Sequence, residues 1–519
     1  MLNSTTLLGC LLMLVLLCSQ SLGAVRLPAI VGPGMVLQRD TDLCIWGWAS
    51  PGEQVTVKLA GQEGKATADQ NGRWTVTLLP LQAGGPHQVV IQGDGEPVVL
   101  DDVLVGEVWV CSGQSNMQWP VEGSLDAGAE IAAADYPMIR LFTVKPDPAA
   151  EAKEDVEGKW QACSPASIPS FSAVGYFFGR HLYRELNVPI GLVNSSLGGT
   201  RIEAWTSREM LDSDPVNKPM LAKYDQAVAE YNPATAKELH AQKLAEWYGK
   251  AQQAQQEGKE PPAKPKLTGH PASDSNAPAV LYNGMIAPLT PMAMRGVIWY
   301  QGESNAGNAW QYRQQFPCMI FDWRERWGRG DLSFLFVQIA AFGQNPDEPW
   351  MLGWPGLREA QTMTLDVANT AMVVTMDIGN AADIHPKNKQ DVGKRLGLAA
   401  LGTVYEKDVV YQGPMCKSVK VQDGAITIEF DHADGLCTPD GQPVAAFQIA
   451  GEDRAFVDAQ AQIVGSTVVV SSPQVAKPVA ARYGWSSNPV PPCNLFNAAG
   501  LPASPFRTDD WPLPSQPKQ

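Results

Sequence analysis

From Met35 to about Leu104 the chain alternates apolar and polar positions in short runs, at residues 44–48, 54–59, 74–78 and 87–91. A period of two puts one face of each run on a core and the other in water, and Pro51-Gly52 and Asn71-Gly72 supply turns between them. The pattern predicts a small antiparallel β domain over residues 24–103. From 104 to about 405 the strands become continuously apolar, at 107–111, 190–194, 296–300, 334–339 and 371–376. Helical stretches follow three of them, at 311–326, 357–367 and 389–404. Strands apolar on both faces that alternate with helices imply parallel β-α-β units and an α/β domain. A polar segment rich in Ala, Gln, Lys and Glu interrupts this domain at about 210–265, reads as helical over 237–257, and is taken as a solvated helical insertion. Alternating strands return at 426–430 and 466–471, so residues 406–519 are expected to form a second β region with a Pro-rich tail.

The start of the chain has a different character. An apolar run from Leu7 to Leu17 is followed by Ser21-Leu22-Gly23, which reads as a signal peptide over 1–23 and an exported protein. That run is too short to span a bilayer, and no other segment is long and apolar enough, so no stable membrane insertion is expected. With 519 residues, two or three domains are expected. A formal charge of -15 argues against a nucleic-acid partner, which requires basic surface to displace counterions. Of nine cysteines, seven remain after Cys10 and Cys18 leave with the leader. The odd number requires a free thiol, and one or two disulfides are expected, Cys416 with Cys437 being one pairing.

Ligands of an open α/β sheet bind beyond the carboxyl ends of its strands, so the residues that follow each strand carry the functional information. Ser112-Gly113-Gln114-Ser115-Asn116-Met117 follows the first strand, with a glycine for a sharp turn and a serine at a helix start. There the Ser115 hydroxyl suits a nucleophile, and its backbone N–H and the helix dipole would face a developing oxyanion. The simpler alternative is an N-cap serine. Ser195 to Thr200 includes Gly198-Gly199, whose amides can approach a ligand closely. Gln301-Gly302-Glu303-Ser304-Asn305 follows the third strand, so Gln301 or Asn305 could supply a side-chain oxyanion donor, and Glu303 could orient a sugar hydroxyl. The last loop carries Asp377, Asp383 and His385, the one histidine among these strand-end loops. Asp383, two residues before His385, could fix its tautomer, with Asp377 in reserve.

Together, Gly113 to Met117, Gly198-Gly199-Thr200, Trp299 to Asn305 and Asp383-Ile384-His385-Pro386 resemble the sialate O-acetylesterase family of SGNH hydrolases. Met35 to Arg39 and Trp46-Gly47-Trp48 extend the likeness over nearly all of the mature chain. The resemblance implies a flavodoxin-like SGNH hydrolase domain with a parallel sheet between N- and C-terminal β domains. It also implies a Ser115–His385 mechanism with or without Asp383, no cofactor or metal, and an O-acetylated sialic acid or other acetylated sugar as substrate. Many relatives place the aspartate three residues before the histidine, where this chain has two. The oxyanion glycine maps to Gly198 or Gly199, and the amide donor to Asn305 or Gln301. Gln114, Trp119, Arg201, Trp205, Glu303, Trp354 and Arg358 are candidates for binding substrate, since aromatic faces stack on sugars and arginine pairs with carboxylates. The alternatives weighed are an acetyl xylan or pectin esterase of the same fold, a glycoside hydrolase pairing Glu303 with Asp377 or Asp383, and a non-catalytic carbohydrate-binding protein.

Overall fold

The computed structural model describes residues 25–344, 352–439 and 441–516. The expected signal peptide lies outside the described residues. The central element is β1 (Val98–Gly113), a strand of 16 residues. Around it the sheet collects β2 (Tyr136–Thr143), β3 (Trp160–Cys163), β4 (Ile190–Ser196), β5 (Gly296–Tyr300), β6 (Ser333–Val337) and β7 (Thr370–Val373), in the order β7-β6-β5-β1-β4-β2-β3. All neighbours are parallel except β3, which runs antiparallel to β2 at the edge.

Burial on both faces explains why these strands are apolar throughout. Val108 and Val110 of β1, Val297 and Trp299 of β5, and Phe334 and Phe336 of β6 point into one core. The alternate residues Trp109, Cys111, Ile298, Tyr300, Leu335 and Val337 point into the other. Helices cover both layers. The helix that opens after β1, α1 (Ser115–Gln118), is a single turn, and α2 (Ala173–Leu186) packs on the second core together with α5 (Lys389–Thr403). Helices α3 (Ala309–Trp327) and α4 (Trp354–Met363) close the first core.

The amino-terminal half of β1 belongs to another layer. It pairs antiparallel with Gly84–Gln92 and parallel with Val36–Gln38, and its carboxyl-terminal half lies between β4 and β5. The boundary expected at 103/104 therefore falls inside one continuous strand. Glu107, fully buried on β1, is held by Arg39, Arg295 (2.7 Å) and Gln38 (3.1 Å), which ties the amino-terminal layer to the central sheet. The polar segment forms helices Lys218–Glu230 and Pro233–Gln256, and the longer one buries no residue. Residues beyond 410 form two four-stranded antiparallel sheets.

The expected disulfides are corrected. All seven described cysteines are free, Cys416 and Cys437 among them. Cys111, Cys163 and Cys493 are instead buried as small apolar residues, and burial pushes their thiols well up from the ordinary range.

Candidate active site

The strand order reverses at β1: β5, β6 and β7 lie to one side, β4, β2 and β3 to the other. The crevice beyond the carboxyl end of β1 is thus the switch point of the sheet, where ligands of open α/β folds bind. Gly113 makes the turn there with φ of +131°, and a Cβ at this position would sit 2.2 Å from the Tyr300 carbonyl oxygen. Only glycine meets both demands. The next turn begins at Ser115.

His385 reaches this serine from 270 residues further along: its Nε2 lies 2.8 Å from Ser115 Oγ. The histidine loop curls so that Asp383 Oδ1 accepts the His385 backbone N–H at 2.9 Å and lies 3.4 Å from Nδ1. The carboxylate faces the ring nitrogen opposite the serine, the side that fixes the tautomer. Asp377, the reserve orienter, is committed elsewhere, in a two-pronged ion pair with Arg395 at 2.8 and 2.6 Å. Burial lowers the His385 pKa, the Asp383 charge raises it, and the Lys389 charge lowers it further, for a net shift below the ordinary imidazole value. Trp119 stacks on the imidazole with centroids 4.9 Å apart and planes within 17°.

Gly198 packs against Ser115: a Cβ there would lie 3.2 Å from Ser115 Cβ. Its N–H points into the same space and donates to Gln118 Oε1 at 2.8 Å. Gly199 is exposed, and its carbonyl accepts from Asn276. Gln118, one turn after Ser115, was not singled out from sequence; the spacing of three on a helix was the available signal.

The side-chain oxyanion donors expected at Gln301 and Asn305 hydrogen-bond within the protein. Gln301 and Asn305 are completely buried. Gln301 commits both amide hydrogens, to the Thr200 carbonyl (3.1 Å) and to Asn305 Oδ1 (2.7 Å). Asn305 donates to Glu203 (3.0 Å) and accepts from the Ile202 N–H. This network braces the loops after β4 and β5 from beneath, a structural use of amides that look catalytic in sequence.

Four residues of the expected sugar-binding wall, Gln114, Trp205, Trp354 and Arg358, are buried. Trp205, Trp354 and Arg358 expose 1% or less of their surface. The Trp205 and Trp354 indoles donate to Thr200 Oγ1 and the Ala340 carbonyl. Arg358 donates to the carbonyls of Ile339, Ala340, Ser486 and Ser487. Gln114 is buried, accepting from the Gly302 and Ser304 amides. Arg201 is exposed beside the Gly198-Gly199 turn, and Trp119 and Glu303 remain partly open. Glu303 accepts from Asn116 Nδ2 at 2.6 Å, and burial pushes its carboxyl up. Asp377 is paired to Arg395 and Asp383 is set against His385, so among the described residues neither carboxylate expected to partner Glu303 in the glycosidase alternative is free. A separate cavity of about 980 Å³, between α4 and the carboxyl-terminal sheets, contains neither Ser115 nor His385.

An α/β sheet carrying a serine, a histidine and an apposed acid at its switch point is the framework of a hydrolase. The model of the family "Carbohydrate esterase, sialic acid-specific acetylesterase" matches residues 105–256 and 272–401, and the chain belongs to this family of esterases. The sialate O-acetylesterase of Mus musculus is 31% identical over 96% of this chain and 97% of its own length. That of Homo sapiens is 31% identical over 96% and 95%. Among solved structures, a carbohydrate acetylesterase from Xanthomonas citri superposes with a TM-score of 0.80 at 38% identity, covering 94% of this chain and all of that one.

Proposed function

We propose that the protein is an exported carbohydrate O-acetylesterase of the SGNH type, with Ser115 as nucleophile and His385 as general base. The observation that carries this reading is the 2.8 Å approach of His385 Nε2 to Ser115 Oγ at the switch point of the sheet. His385 takes the hydroxyl proton as Ser115 Oγ attacks the acetyl carbonyl, and the negative charge gathers on the carbonyl oxygen. The backbone N–H groups of Ser115 and Gly198 receive that oxygen, and Gln118 Oε1 holds the Gly198 donor until the substrate displaces it. His385 then returns the proton to the sugar oxygen, whose bond to the acyl carbon breaks. Water, deprotonated by the same imidazole, cleaves the acetyl-serine ester to release acetate. Asp383 holds Nδ1 through both steps.

O-acetylated sialic acids are the proposed substrates, in keeping with the family and its mammalian members. Exposed Arg201, beside the oxyanion turn, is the cation offered to the sialate carboxylate. The test is acetate release from O-acetylated sialic acids and from acetylated xylan and pectin fragments by wild type, Ser115→Ala and Arg201→Ala. Ser115→Ala is expected to abolish release from every substrate, whereas Arg201→Ala loses more on sialic acids than on neutral sugars. Hydrolysis surviving in Ser115→Ala would refute the nucleophile, and equal losses in Arg201→Ala would refute the carboxylate contact.

A further inference from the structure

We infer that Lys389 is a positioning residue for the Ser115–His385 pair, acting by locking the Asn116 carboxamide that ties the serine loop to the histidine loop. The inference rests on the roles proposed above for those two residues. Lys389 is the first residue of α5 and is completely buried, an unusual place for an ammonium group. Its Nζ donates to Asn116 Oδ1 at 2.5 Å and lies 5.5 Å from the ring centre of Tyr300 and 5.9 Å from that of Trp119.

Asn116 follows the nucleophile directly and is itself buried. Its Nδ2 donates to Glu303 Oε1 at 2.6 Å and to the Ile384 carbonyl at 3.0 Å, the peptide just before His385. One carboxamide thus joins the loops after β1, β5 and β7. A carboxamide is nearly symmetric in shape, so shape alone does not decide which end faces the histidine loop. Lys389 and the Ile384 carbonyl decide it from opposite sides, because an ammonium only donates and draws the amide oxygen while a carbonyl only accepts and draws the NH₂ end. The NH₂ end is thereby held toward Glu303 and Ile384. Through Trp119, whose ring lies near Nζ and stacks on the imidazole, the same lysine borders His385 by a second route.

The ammonium form on which this orientation depends prevails below about pH 7. Burial pulls the Lys389 pKa down to about 7, while the charges of Glu303 and Asp383 act to raise it. The ionisable groups that bear on Lys389 are Glu303 and Tyr300 from β5 and its loop, and Asp383 and His385 from the histidine loop. In the acid range where His385 titrates, Lys389 is charged and adds to burial in favouring the neutral imidazole. Removing that charge must raise the His385 pKa.

The experiment compares Lys389→Met, which keeps the length but loses donor and charge, with Lys389→Gln, which keeps an N–H donor without charge. On p-nitrophenyl acetate, Lys389→Met is expected to lose about 10-fold to 100-fold in kcat with KM changed less than about threefold. Lys389→Gln should recover much of that loss. In both variants the acid limb of kcat/KM should move to higher pH, by roughly half a pH unit, a displacement that a merely structural role would not produce. The double variant Asn116→Ala/Lys389→Met should be no slower than Asn116→Ala alone, because the lysine acts through the amide. Wild-type turnover in Lys389→Met, an unmoved acid limb, or losses that multiply in the double variant would each overturn the inference. Should Lys389→Met fail to fold, Lys389→Gln carries the acid-limb comparison by itself. The His385 titration followed by NMR in Ser115→Ala, with and without Lys389→Gln, requires no turnover. It therefore judges the lysine even where hydrolysis surviving in Ser115→Ala has removed the proposed mechanism.

Discussion

The general-base role proposed for His385 requires a neutral ring, and burial and the Lys389 charge favour that form against the pull of Asp383. Its pKa is lowered, so the neutral form persists below the ordinary histidine value of about 6.5. The acid limb of kcat/KM is therefore expected below that value, and a limb above it would show that another group governs the rate. The residues that lead to this site stand out in the sequence because they follow strands: Ser115 after β1 and His385 after β7 are polar groups at the ends of apolar runs. The direction in which a side chain faces is less legible. Trp205, Trp354 and Arg358 have the composition of a sugar-binding wall, yet all three turn inward to satisfy backbone or hydroxyl acceptors. Gln301 and Asn305 are hard to read for a related reason, since the amides that brace a loop from below are the same groups that line it from above. Lys389 gave no signal, because a lysine opening a helix is ordinarily exposed.

Among the elements, the strands of the central sheet were the most readable, because burial on both faces leaves an unbroken apolar run. β5 spans the expected 296–300, and β1 and β4 extend the expected runs in both directions or beyond one end. The edge strand β3 and its neighbour β2 escaped notice. Tyr136–Thr143 contains Pro137 and Arg140, and that arginine serves a bridge to Asp102 that no periodicity reveals. The turn between β1 and α1 makes the strictest local demand. Gly113→Ala would place a methyl group 2.2 Å from the Tyr300 carbonyl at a φ of +131°. The clash and the strained backbone together are expected to cost about 3 kcal/mol or more, read from urea denaturation, along with most of the activity. Wild-type stability in this variant would mean that β1 and β5 can part without penalty.

In the whole molecule, the carboxyl-terminal sheets are fastened to the α/β layer by buried polar contacts as well as by apolar packing. Arg358 on α4 serves two carbonyls after β6 and two in the segment at Ser486 and Ser487, and Glu359 receives Arg507 and Arg313. Arg358→Met keeps the bulk but strands those carbonyls, and a loss of about 3 kcal/mol or more is expected in denaturant melts. A loss under about 1 kcal/mol would mean that water replaces the guanidinium. The 16 residues of β1 carry a different implication. The same backbone that seats the amino-terminal sheet ends at the serine, so exchanging that sheet between homologous enzymes at residue 103 would sever the peptide ladder that aims the hydroxyl. A chimera that keeps its catalytic power must inherit Val98–Gly113 and its partners from one parent.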